Sequence, residues 1–170
     1  MLLGLDIATK TGFAFGGTAD GAPRTGVWRL PGLDANTIDR SLSALHESVR
    51  QLCGAAGVEI VAIEAPLQID SRSARTALGL ISLCAVARAA AHRHGAQVRM
   101  VHVQSVRKHF VGNGRPANPK QAVMDRCDLL GWKFEDDNAA DAAAVWAYGM
   151  SVSYPKWSPR GTPLFGRAAA

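Results

Sequence analysis

The sequence has little cysteine. Cys53, Cys84 and Cys127 are three in number and far apart. That excludes a disulfide framework and any CxxC metal site, and it fits a reducing compartment in which each thiol is a small buried hydrophobe. No run of about 18 apolar residues stands out, so no membrane span or membrane partner is expected. The opening MLLGLDIATKTG has no basic n-region and carries Asp6 instead, which argues against a signal peptide and for a cytoplasmic protein. Aromatic residues make up only 6% of the chain. Trp28, Trp132, Trp146 and Trp157 are too scattered to form a stacking platform, and the first three are assigned to the core. The histidines share no common spacing: His92 and His94 suit a helix C-terminus, while His102 and His109 flank a basic segment. There is no internal repeat.

What is present describes one ordinary globular domain. The chain has 170 residues, is 48% hydrophobic and has a mean hydropathy of +0.01. Nineteen Lys and Arg against 14 Asp and Glu give a net charge of +5, with a pI near 9.5. A basic balance permits a polyanionic partner without demanding one. Its placement says more. Arg107, Lys108, Arg115, Lys120 and Arg126 fall in one short stretch whose single acid is Asp125.

Hydrophobic periodicity divides the chain. LLGLDI, GFAFGG and TGVWRL read as three meandering strands, with TKTG and the Gly21–Pro23 segment as turns. Ile38, Leu42, Leu45, Val49 and Leu52 line one face of a helix from about Asn36 to Ala56, closed by Gly57. EIVAIEA is a β-branched strand stopped by Pro66. A long Ala-rich helix runs from Asp70 to His94, and QVRMVHV is a fifth strand. A short helix (Ser105–Phe110), a Gly/Pro/Asn loop (Gly112–Pro119), a helix from Lys120 to Leu130 and a last helix to about Ser151 follow. The order βββαβαβα, with extra helices after the fifth strand, predicts a five-stranded mixed sheet with helices on both faces, as in RNase H-like proteins. Residues 1–152 form the domain. The Pro-rich 153–170 is expected to be a flexible tail.

Three acids stand where the pattern calls for an apolar residue. Asp6 ends the first strand and Glu64 the fourth. Asp141 lies near the start of the otherwise apolar last helix, with Asn138 three residues before it on the same face. A carboxylate in an apolar strand costs free energy unless something pairs with it. If the first and fourth strands are neighbours and the small residues of the last helix let it approach, the three converge. Such a group repels itself unless a cation neutralises it, and oxygen ligands suit Mg²⁺ or Mn²⁺. Taken one at a time, each acid is as readily a turn former or a helix cap; Asp136 and Asp137 are good caps for the last helix.

These motifs carry a family resemblance. GLDIATKTGFAF, VAIEAP and NAADAAAVWAYG resemble, in order, the acidic motifs of the RuvC family of Holliday-junction resolvases, with the Asn-x-x-Asp ending nearer to phage-type members. SVRKHFVGNGR with Lys120 resembles the family's basic stretch, and the helix 70–94 stands where the family has its dimerisation helix. The resemblance implies a metal-dependent endonuclease acting on branched DNA. It implies Asp6, Glu64 and Asp141 as ligands of two Mg²⁺ ions, which Mn²⁺ can replace, and Lys120 as an active-site lysine. Asn138 is a neutral fourth ligand, with Asp137 as the alternative. DNA contacts are expected at Arg107, Lys108, Arg115, Lys120, Arg72, Arg75 and Leu67, the last standing where the bacterial enzyme has a wedging aromatic. A homodimer through the helix 70–94 supplies two sites for the two symmetric strands of a four-way junction.

Two other readings compete. GLDIATKTG also looks like the phosphate-gripping turn of acetate and sugar kinases, but those need two such domains and a cleft between them. A DNA-structure binder with weak or lost catalysis is the third class, favoured by Asn138 and opposed by the three intact acids.

Overall fold

The computed structural model describes residues 1–66 and 74–159. Leu67 and Arg72 lie outside the described residues, as does the tail from residue 160 onward. Five strands form one sheet: β1 (Leu2–Asp6), β2 (Lys10–Gly16), β3 (Arg24–Arg29), β4 (Ile60–Glu64) and β5 (Gln97–Val101), in the order β3-β2-β1-β4-β5. The first three pair antiparallel, and β1–β4 and β4–β5 pair parallel. The helices are α1 (Ile38–Ala56), α2 (Ala74–Arg93), α3 (Val103–Val111), α4 (Pro119–Leu130) and α5 (Asp137–Ser153). This is the expected five-stranded mixed α/β architecture.

Strand alternation sorts the side chains into two cores. Leu3, Leu5, Val61 and Ile63 face α1 and α2, where Leu45, Val49, Leu83 and Ala87 meet them. Leu2, Ala14 and Ala62 face α5, with α3 and α4 packed around it through Val106, Phe110, Val123 and Cys127. All three cysteines are buried and unpaired, as expected.

Local signals explain most boundaries. Gly57, Gly112 and Gly131 end α1, α3 and α4 in the left-handed region that glycine adopts without strain. Pro119 opens α4, and the Asn118 side chain accepts from the Gln121 backbone N–H. Three boundaries differ from expectation. The first turn is shorter than TKTG: the Thr11 hydroxyl donates to the Ala8 carbonyl at 2.6 Å, and Lys10 already belongs to β2. The fifth strand stops at Val101, because Val103 turns inward as the first residue of α3. The flexible tail does not begin at residue 153, since Trp157 stacks edge-on against Trp146 at 5.1 Å and, with Tyr154, covers the α5 core. Of the tryptophans assigned to the core, Trp132 and Trp146 are buried, while Trp28 is half-buried and stacked on Phe13.

The reading that no stretch qualifies as a membrane span needs correction. α2 has 20 residues, and an 18-residue window in it reaches a mean hydropathy of 1.4, enough by length and composition alone. One side of it is filled by α1 and the sheet, through Ala77, Leu80, Leu83, Ala87 and Ala90. Arg75, Thr76, Ser82 and Arg88 interrupt its apolar run.

Candidate functional site

The acid-bearing edge is built by close approach of α5 to the sheet. A Cβ on Gly4 would lie 2.5 Å from the Trp146 backbone nitrogen, and one on Gly12 would lie 1.9 Å from the Asn138 carbonyl oxygen. Glycine at both positions lets helix backbone rest directly on strand backbone. Gly4 and Asp6 share a strand face, and Asp6 is the Cα partner of Gly12. Asp6 therefore points to the α5 side, level with the first turn of the helix. Ala62 touches the Gly149 position of α5, so Glu64, two residues on, faces the same way. The β1–β4 register pairs Leu5 with Ile63, which sets Asp6 and Glu64 side by side. Asp141 descends on them from α5.

Their electrostatics show the proximity. Burial, and after it the negative charges of Asp6 and Asp141, push the Glu64 carboxyl up to about 8. Burial and then Asp6 raise Asp141 to about 7, with Asp137 adding to the rise. The Arg107 guanidinium opposes the shift at both, and Lys120 opposes it at Asp141. Arg107 and Lys120 thus stand at the acids. Lys108 and Arg115 are exposed on the same α3–α4 segment. Arg75 is exposed, and it lines a shallow groove with Leu33, Asp34 and Ile38 in the layer across the sheet from α5.

The start of α5 sorts its polar residues by task. Asp136 caps the helix, accepting from the Asn138 and Ala139 backbone N–H groups at 3.0 and 3.1 Å. Asp137 forms an ion pair with Lys120, which holds its own carboxyl below the ordinary range and raises the Lys120 ammonium. The Asn138 amide nitrogen donates to Asp136 and Asp137 at 3.2 Å each. Asp137 is therefore committed to Lys120, and the Asn138 side-chain amide oxygen, Oδ1, is the better candidate for a fourth ligand. Sequence reasoning missed the Asp137–Lys120 pair, whose members are 17 residues apart. It also missed the spacing role of Gly4 and Gly12, for which glycine two residues before Asp6 and inside an apolar second strand was the available signal.

Half-buried oxygen donors with raised proton affinity fit a hard divalent cation: they are anionic, mutually repulsive and short of compensating charge. Among the described residues, no group of three or more His, Cys, Asp or Glu is drawn in tightly enough to hold a metal ion as it stands.

No family model matches the sequence, and no curated protein is detectably similar to it. Solved structures are similar. The RuvC structure of Thermus thermophilus aligns with 93% of this chain and 98% of its own, at 20% identity and a TM-score of 0.70. The same protein in complex with a Holliday junction substrate aligns over the same shares at 16% identity and a TM-score of 0.70. The yeast mitochondrial Holliday junction resolvase Ydc2 aligns with 87% of this chain and 76% of its own, at 13% identity and a TM-score of 0.56. The fold of this chain is the RuvC fold over nearly its whole length.

Proposed function

We propose, starting from a fold shared with junction resolvases, that this chain is a metal-dependent endonuclease that nicks branched DNA, with the four-way junction as its substrate. One observation carries the reading: β1, β4 and α5 bring three carboxylates to one face at one end of the sheet, where Asp6 raises the proton affinity of both Glu64 and Asp141. Asp6, Glu64 and Asp141 would hold two Mg²⁺ ions, or Mn²⁺ in their place, with the Asn138 side-chain oxygen Oδ1 as a further donor. Bound there, the ions would polarise the scissile phosphate, activate the attacking water and stabilise the leaving oxygen.

The chain's own residues do the rest. Arg107 and Lys120 balance the acids in the absence of substrate and attract the phosphate backbone to them. Lys120, steered by Asp137, presents an ammonium to the charge that builds on the phosphate during cleavage. Lys108 and Arg115 extend the basic surface outward, Leu67 is assigned to the branch point, and Arg72 and Arg75 are further DNA contacts. The chain acts as a homodimer through α2, whose outer side exposes Leu78 and Ile81 at 66% and 46%. Three buried free thiols suit a reducing cytoplasm.

The test is cleavage of matched four-way, three-way and linear DNA with Mg²⁺. Four-way DNA should be nicked in preference. Asp141→Asn should lower the rate by about a thousandfold or more while binding stays intact or strengthens, since a repelling charge is gone. Asn138 favours one other reading, a junction binder without catalysis. Tight, metal-independent binding with no nicking by the unaltered protein would establish that reading instead.

A further inference from the structure

The basic residues assigned so far approach the acids from one side, through α3 and α4 beyond β5. The other side of the sheet carries a second basic group. Lys10 opens β2 and Arg29 closes β3, and the two are direct cross-strand partners. Both lie at the sheet end that bears Asp6. Lys10 is two residues from Gly12, whose face abuts the first turn of α5, so Lys10 projects to the α5 side. Arg29 projects there too: its guanidinium meets Glu135, just ahead of α5, at 3.3 Å. Thr25, on the same face of β3, is tied to the Lys133 carbonyl at 2.8 Å.

Like charges placed directly opposite in an antiparallel pair destabilise the sheet. Here one carboxylate, Glu135, offsets only one of the two, and both cations are exposed. A fold-preserving role does not explain that cost. Positive charge on β3 alone would protect an open sheet edge, but Lys10 sits on β2, inside the sheet. An anionic ligand does explain the pair. Strands are spaced about 5 Å apart and rise about 3.3 Å per residue, so the Cα atoms of Lys10 and Arg29, one and two strands across and two residues on, stand about 8 and about 12 Å from that of Asp6, on the side away from Arg107.

We propose that Lys10 and Arg29 form a second phosphodiester-binding bank, which holds the nucleic-acid backbone on the side of the acids opposite α3. The inference rests on the nuclease reading and names where its substrate strand leaves the site. With Arg107 on one flank and Lys10 and Arg29 on the other, a strand is gripped on both sides of the bond over Asp6, Glu64 and Asp141. That fixes the bond in line with the acids.

The experiment uses the full chain and a four-way DNA junction, with binding measured across a salt series without divalent metal. Lys10→Gln with Arg29→Gln should weaken binding on the order of tenfold at 0.1 M salt and flatten the log–log salt slope by up to about two units. Lys10→Glu gives the sharper reading. It sets an acid opposite Arg29, so the sheet should become more stable to heat or urea, yet junction binding should fall. An unchanged salt slope in the double variant, with normal binding by the unaltered chain, overturns the bank and leaves the nuclease reading standing. So does a Lys10→Glu protein that binds as tightly as the unaltered chain. If the unaltered chain binds neither junction nor duplex, both the bank and the nuclease reading fall.

Discussion

The two faces of the sheet are packed by different rules. On the α1/α2 face, Leu, Val and Ile side chains interdigitate, and the helices sit at the distance those side chains set. On the α5 face the contact is backbone to backbone: glycines at positions 4 and 12 meet an α5 whose inward residues include Ala139, Ala142, Ala143 and Gly149. A side-chain interface tolerates repacking and loses stability by degrees. A backbone interface has no slack, and it fixes the helix bearing Asp141 relative to the strands bearing Asp6 and Glu64. The three acids sit on the rigid face, and the proposed dimer surface of α2 lies on the adaptable one.

The largest effect should come from forcing the rigid face apart. Gly12→Ala places a methyl against the Asn138 carbonyl, so α5 must shift by about 1 Å or more. We expect a loss of about 3 kcal/mol in urea unfolding and a nicking rate down at least a hundredfold in the protein that still folds. Val49→Ala on the other face should cost about 1–3 kcal/mol and leave the rate per folded molecule unchanged. Equal losses of activity from the two variants would erase the distinction between the faces.

A second prediction concerns the exposed stripe of α2. Leu78→Glu with Ile81→Glu should convert a dimer to a monomer in sedimentation, with little change in melting temperature, because neither side chain supports the protomer core. Nicking of single strands should persist while simultaneous nicking of two strands is lost. A monomeric unaltered protein would show that this face assembles nothing.

The smallest effect is electrostatic and confined to the α5 face. Glu64 and Asp141 rise to about 8 and about 7 from ordinary values of 4.5 and 3.8. The metal-free fold therefore holds more protons than the unfolded chain, and its stability falls as pH rises from about 4 through about 8. For half-buried carboxylates open to solvent screening, this should amount to about 1–2 kcal/mol, or several degrees of melting temperature. Mg²⁺ at pH 8 should restore the loss and release protons on binding. Asp141→Asn should flatten the pH profile. A metal-free protein equally stable at pH 5 and pH 8 would refute this account.

Much of this was legible before any coordinates. The five strands follow from β-branched runs and glycine or proline stops. The acids stand out because LLGLDI and VAIEAP put a carboxylate where an aliphatic residue belongs. What was not legible depended on register or on distance along the chain. Lys10 and Arg29 become neighbours only once β2 and β3 are paired. Lys120 finds Asp137 only after α4 and α5 have packed. Trp157 lay hidden in a Pro-rich tail, although its spacing of three from Tyr154 was a hint of a packed turn. His102 and Val103 continued an alternating pattern that the chain abandons at Val101, where a helix start competed with a strand end.

The contact of α5 with β1 and β2 also has a temporal side. It joins segments more than a hundred residues apart, and closing such long loops is a slow step in folding. On the ribosome, Asp6 and Glu64 emerge early, but nothing can complete their constellation until α5 has been translated and has docked. A nascent chain therefore carries two of the three converging acids before the third is in place. The acidic constellation is completed in a single late event, the docking of α5 on the sheet.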